Sequence, residues 1–188
     1  MRKIVPILVG TLLIAIGAFY YYLHRYDYEF SLNHLSAIGT IENITSHEFK
    51  DGTGIPQEST CDGSNVSPAI SFTNVPTGAK SMAVLLEDSS TGIQPFTHWI
   101  VFNLSPDITT IYSSKVLDNA DLGVNDYGKS EYDGPCPPVG QTHNYYFKVF
   151  ALDTPLGIKN PNRAQFDEEI YGHVLATGSL SGLYSKNP

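Results

Sequence analysis

Residues 132–152 read "YDGPCPPVGQTHNYYFKVFAL". Three prolines, two glycines and one of only two cysteines crowd into the stretch from Gly134 to Thr142. Proline fixes φ and glycine widens it, so these residues make a stiff, shaped loop rather than a flexible linker or a helix. From His143 onward the run is apolar on both faces, the pattern of a buried strand.

The rest of the chain agrees with a β reading. Its 188 residues suit one domain, and 12 Tyr, 9 Phe, 16 Gly and 12 Pro favour short strands joined by many turns. Strand signals recur at "AISF" (69–72), "SMAVLLE" (81–87) and "THWIVFNL" (97–104). The last two, with 143–152, are apolar on both faces, as expected for the central strands of two packed sheets. One helix is predicted in "NRAQFDEEIYGHVLATGSL" (162–180), where Phe166, Ile170 and Val174 stand four apart with Leu175 beside them. Asn162 is its expected cap, answered by Gln165 three residues on. "GSLSGLY" (178–184) reads as a terminal strand. No internal repeat is present. The pattern predicts a mainly β chain, a β-sandwich with one late helix.

The N-terminus sets an expectation of compartment. Residues 4–23, "IVPILVGTLLIAIGAFYYYL", carry no charge over a length sufficient for a transmembrane helix. Arg2 and Lys3 precede them and Tyr20–Tyr22 close them, which orients the remainder outside the cytoplasm. Ala15-Ile16-Gly17 offers the alternative of a cleaved signal segment. Residues 1–23 are thus read as a membrane anchor or signal, 24–41 as a linker and 42–188 as the folded domain. Either alternative gives an extracytoplasmic domain, periplasmic or extracellular, tethered or secreted. Such compartments are oxidising, which makes Cys61 and Cys136 disulfide candidates, with two buried free thiols as the alternative. No CxxC or Cys/His spacing marks a structural metal.

Charge excludes one class of partner. The formal net charge is −8, and no Lys/Arg run is present, so nucleic acid is not an expected ligand. A small anion remains possible, since local donors can hold it.

Three residues carry the chemistry expected of a site. Asp88 ends an apolar strand and shares parity with Met82, Val84 and Leu86, whereas Glu87 faces the other way. His98 opens the second strand on the parity of Ile100 and Phe102, and His143 opens the third on that of Tyr145, Phe147 and Val149. A solvated acid and two structural histidines would be the plain explanation. Three functional explanations compete with it. Asp88, His98 and His143 are the minimum for a metal site, without a distinctive spacing. A Ser-His-Asp hydrolase lacks a G-x-S-x-G elbow. An anion pocket needs only donors, from imidazole, a tyrosine hydroxyl and loop N–H groups, and asks least of the sequence.

Four segments, "TCDGSNVSPAISFTNVPTGAKSMAVLLEDSS", "FTHWIVFNL", "YDGPCPPVGQTHNYYFKVFALD" and "GHVLATGSLSGLY", run in one order across most of 44–184. In this combination the chain resembles the phosphatidylethanolamine-binding, Raf kinase inhibitor-like proteins, and more closely their bacterial and archaeal branch. The resemblance implies a Greek-key sandwich of two antiparallel sheets with one or two short helices, behind the predicted transmembrane helix. It also implies a small anion pocket that uses Asp88, His98, His143, Tyr145 and the loop residues Gly134, Pro135, Pro137 and Pro138. It brings the loops of Cys61 and Cys136 near that pocket. Implied ligands are phosphate and phosphoryl or phospholipid head groups; implied roles include inhibition of kinases or proteases, and no cofactor or general catalytic activity. Here "EDSST" stands where the family often has D-P-D-x-P, Asn144 stands where many relatives carry Arg, and no long C-terminal helix follows Tyr184. The expectation is an extracytoplasmic binding module, the alternatives a protease inhibitor and a hydrolase or metal-dependent enzyme built on Asp88, His98 and His143.

Overall fold

The apolar run after the proline loop forms an eleven-residue strand with a neighbour on each side. The computed structural model describes residues 39–111 and 120–186. Within them lie β1 (Gly39–Thr40), β2 (Glu42–Thr45), β3 (Thr53–Gly54), β4 (Ile70–Thr73), β5 (Ser81–Asp88), β6 (Phe96–Leu104), β7 (Thr110–Ile111), β8 (Asp121–Leu122), β9 (Thr142–Leu152), α1 (Arg163–Ile170) and β10 (Val174–Ser185). The larger sheet runs β1-β10-β9-β5-β6-β8, with β3 also on β10; the smaller runs β2-β4-β7.

The two faces of the larger sheet meet different covers. Met82, Val84, Leu86, Val101, Phe147 and Val149 pack with Ile44, Ile70, Phe72 and Ile111 from the smaller sheet. Ala83, Leu85, Ile100, Phe102, Phe150 and Leu152 pack with Leu156 and with Phe166 and Ile170 of α1. That is why β5, β6 and β9 are apolar on both faces: one face meets a sheet and the other a helix. Every residue of β5 is buried, and each large aliphatic side chain in it contributes about 1.5–3 kcal/mol of transfer free energy.

Four expectations change here. The larger sheet is mixed, because β1 and β3 both pair parallel to β10. Two-residue strands leave no alternation to read, and the twelve-residue β10 offers an edge long enough for both. The predicted transmembrane helix is not part of this fold: among the described residues no helix is long and apolar enough to cross a membrane, and residues 4–23 lie outside them. The late helix ends at Ile170 rather than continuing to Val174. Gly172 has φ +80°, a left-handed conformation that stops the helix and releases Val174 and Leu175 into β10. Finally, Ile41 is 2% exposed and Gly39–Thr40 are paired, so these residues of the expected linker belong to the folded unit.

The start of α1 follows the sequence. Asn162 accepts a hydrogen bond from the Gln165 backbone, and the Gln165 side chain accepts one from Asn162, a complete capping box.

Candidate functional site

The C-terminal end of β5 meets the starts of β9 and, by way of a bulge, β6. Asp88 pairs in register with Tyr145 on one side and with Phe96 on the other. Antiparallel partners project to one face, so Asp88, Tyr145 and, two residues before it, His143 share the face of Leu86 and Phe147. The Asp88 carboxylate is 3% exposed. Its Oδ1 accepts from the Ser90 backbone N–H at 2.8 Å, and its Oδ2 accepts from His143 Nδ1 at 2.6 Å. Glu87 points the other way, to α1, where Lys148 and Arg163 hold it. Strand parity thus separates the two acids, Asp88 toward His143 and Glu87 toward Arg163 of α1.

His98 reaches the same place by an irregularity. Leu86 pairs with Trp99, but Glu87 pairs with Thr97, so β6 carries one extra residue at His98. Such a bulge re-aims a side chain. His98 leaves the face of Ile100 and Phe102, where simple alternation puts it, and packs edge-on to Tyr145 at a centroid distance of 5.4 Å. Its Nδ1 donates to the Asp133 carbonyl at 2.7 Å. Burial holds the His98 pKa below the ordinary value, although the Asp133 carbonyl and the Asp88 and Asp133 charges pull it upward.

Asp88, His98 and His143 line one solvent-open cavity of about 530 Å³, together with Ser90, Thr91, Gly92, Phe96, Tyr127, Cys136, Pro138 and Gln141. That size is in the range of small-molecule sites. The proline loop contributes by alternation. Cys136 and Pro138 are exposed on the cavity wall, whereas Gly134, Pro135 and Pro137 are buried behind it. Tyr145 is fully buried, below the cavity rather than on its wall, and its hydroxyl has no hydrogen-bond partner among the described residues. Burial and the nearby Asp88 carboxylate push its phenol up, so it stays protonated and able to donate.

The loop N–H groups contribute less than the resemblance implied. Pro135, Pro137 and Pro138 have none, and that of Gly134 donates to Asn65 Oδ1 at 2.7 Å. Their role is support. Cys61 N–H donates to the Pro135 carbonyl at 3.1 Å, and the Tyr132 hydroxyl donates to the Ser59 carbonyl at 2.7 Å. A Cβ on Gly134 would stand 2.2 Å from the Ser59 carbonyl oxygen, so only glycine permits this approach. A Cys61–Cys136 disulfide, with Cα atoms 5.4 Å apart, completes the junction.

Sequence reading missed four contributors. Asn125, 3% exposed, donates to the His98 carbonyl and the Asp133 carboxylate and accepts from the Tyr127 and Lys129 N–H groups. It fixes the turn that sets Tyr127 edge-on to His98 at 5.7 Å. Asn65 sits at φ +56° to receive Gly134. Gln141 Oε1 lies 3.2 Å from His143 Nε2. The Asn-Asp-Tyr-Gly cluster at 125–128 signals a turn, but nothing local assigns that turn to His98.

Residues 45–185 match the family described as Phosphatidylethanolamine-binding protein. A UPF0098 protein of Methanothermobacter thermautotrophicus is 40% identical over 151 residues, covering 77% of this chain and 99% of its own length. One from Aquifex aeolicus is 37% identical over 159 residues, covering 81% and 93%. Among solved structures, a phosphatidylethanolamine-binding protein homologue from Chlamydia trachomatis superposes with a TM-score of 0.71 at 37% identity, over 77% of this chain and 97% of its own. Escherichia coli YbcL, described as a new member of the mammalian family, gives 0.70 at 29%, over 76% and 96%. On this match of sequence and fold, the chain belongs to the phosphatidylethanolamine-binding protein family.

Proposed function

We propose that the cavity binds a small phosphoryl group, and that a zwitterionic head group such as phosphoethanolamine fits it better than phosphate alone. One observation carries this reading: two buried histidines and one buried carboxylate line a single open cavity. With Nδ1 of each ring already given to the Asp133 carbonyl and to Asp88, His98 and His143 offer Nε2–H to the phosphoryl oxygens in their imidazolium form, with the Ser90 hydroxyl beside them. Ser90 Oγ already accepts from the Asn144 N–H at 3.0 Å, which leaves its proton free to donate. Asp88, with Phe96 and Tyr127, is suited to an ammonium group by charge and by cation–π attraction. The net charge of −8 disfavours a bare dianion and favours a ligand that brings its own positive charge. The disulfide supports an oxidising, extracytoplasmic setting.

Calorimetric titration with phosphoethanolamine, inorganic phosphate and ethanolamine tests the proposal. Saturable binding of the first, weaker binding of the second and none of the third is expected. No heat from either phosphoryl compound would overturn it.

A further inference from the structure

We infer that the Cys61–Cys136 disulfide is a reducible latch on the cavity wall, opened by thiol–disulfide exchange with a dithiol reductant. Both cysteines are exposed, and Cys136 faces the cavity. The bond is therefore reachable by an attacking thiolate without unfolding, unlike a bridge sealed in a core. Beside it lies a cation: Lys186 Nζ is 3.6 Å from the Cys61 sulfur and 3.9 Å from the Cys136 sulfur. An ammonium at this distance stabilises the thiolate that leaves when the bond is attacked. Asp62 shares that ammonium at 2.8 Å and tempers the effect. Tyr184 donates to the other Asp62 oxygen, so the carboxylate is held to both.

The exchange balances as follows. A thiolate of the reductant attacks one sulfur, the protein S–S bond breaks, and the other sulfur leaves as a thiolate. The second thiol of the reductant then displaces the mixed disulfide. The protein gains two thiols, and the reductant is oxidised to its disulfide.

Contacts that survive the break are unequally distributed. Residues 132–135 remain tied through Tyr132 to Ser59, Gly134 to Asn65 and Pro135 to Cys61. Residues 136–141 retain the Gly140 N–H donated to the Lys186 carbonyl and a local turn from Gln141 to Pro138. Reduction therefore loosens the outer half of the wall, including Gln141 against His143, and leaves the inner half in place. The consequence for affinity rests on the phosphoryl-site reading; the loosening itself does not.

Reduction of the full-length protein by dithiothreitol in native buffer, followed by mass-resolved hydrogen exchange, tests the latch. The bond is expected to reduce in absence of denaturant, with faster exchange at 136 and 139–143 and little change in β5. Lys186→Gln should slow reduction roughly threefold. Phosphoethanolamine affinity should fall about tenfold or more in the reduced form. Reduction only at the rate of global unfolding, or unchanged exchange at 136–143, would overturn the latch. If neither redox form binds phosphoethanolamine, the ligand reading fails while the exchange data still decide the latch.

Discussion

His143 Nδ1 donates to Asp88 Oδ2 at 2.6 Å across the boundary between β9 and β5, and both residues are at most 9% exposed. The pair fixes the imidazole so that Nε2, the nitrogen not used by Asp88, is turned to Gln141 at the cavity. The same carboxylate caps the Ser90 turn, so one acid orders both a histidine and the loop opposite it.

Asp88→Ala leaves one buried donor, His143 Nδ1, without its acceptor and removes the cap on the Ser90 N–H at the exposed turn. Urea denaturation should show a loss of about 1–3 kcal/mol. A double-mutant cycle with His143→Ala should give a coupling of about 1 kcal/mol or more; additive losses would show the contact to be incidental.

His98 gives a pH dependence of known sign. Its folded pKa is lowered by burial, so the folded state holds fewer protons than the unfolded state as pH falls below the ordinary value of about 6.5. Stability should decline as pH drops through that region, and His98→Gln should flatten the slope. Sulfate, whose charge is constant there, should bind more tightly as His98 gains its second proton. Chemical denaturation and sulfate titration across the interval check both.

Glu87 adds an acid limb. Burial raises its pKa, but hydrogen bonds and charge from Lys148 and Arg163 hold it below the ordinary value. It therefore stabilises the fold above the unfolded value of about 4.3, and that stability is lost as pH falls through the folded pKa. Glu87→Gln should cost about 2 kcal/mol at pH 7, tempered by the partly exposed cations, and should blunt acid denaturation.

Gly134→Ala should be more damaging than its size suggests. The added methyl falls on the Ser59 carbonyl, and overpacking of this kind costs about 1–3 kcal/mol. The thermal midpoint should fall, and a structure of the variant should show the proline loop displaced from 59–61.

The long strands were legible because burial on both faces removes polar alternation from β5, β6 and β9. The capping box at Asn162 was legible because it is local. The helix end was not, since Val174 continues the four-residue spacing of Phe166 and Ile170 and only the left-handed Gly172 breaks it. Asp88, His143 and Tyr145 lie on one face by plain parity, and their convergence could be read. His98 could not be placed that way, because a bulge leaves no mark in composition and reverses the face. Asn125 and Tyr127 join the site through a local turn whose contact with His98, from Asn125, spans 27 residues of sequence.

The central claim is that His98 and His143 receive a phosphoryl group in one cavity. Nitrogen-15 NMR of the two imidazole rings during titration with phosphoethanolamine tests it most directly. Nε2 resonances of both histidines should shift together and saturate, with His173, on the 170–174 turn and paired to Asp153, unmoved. Shifts absent from both rings up to about 10 mM ligand, or equal shifts at His173, would contradict it.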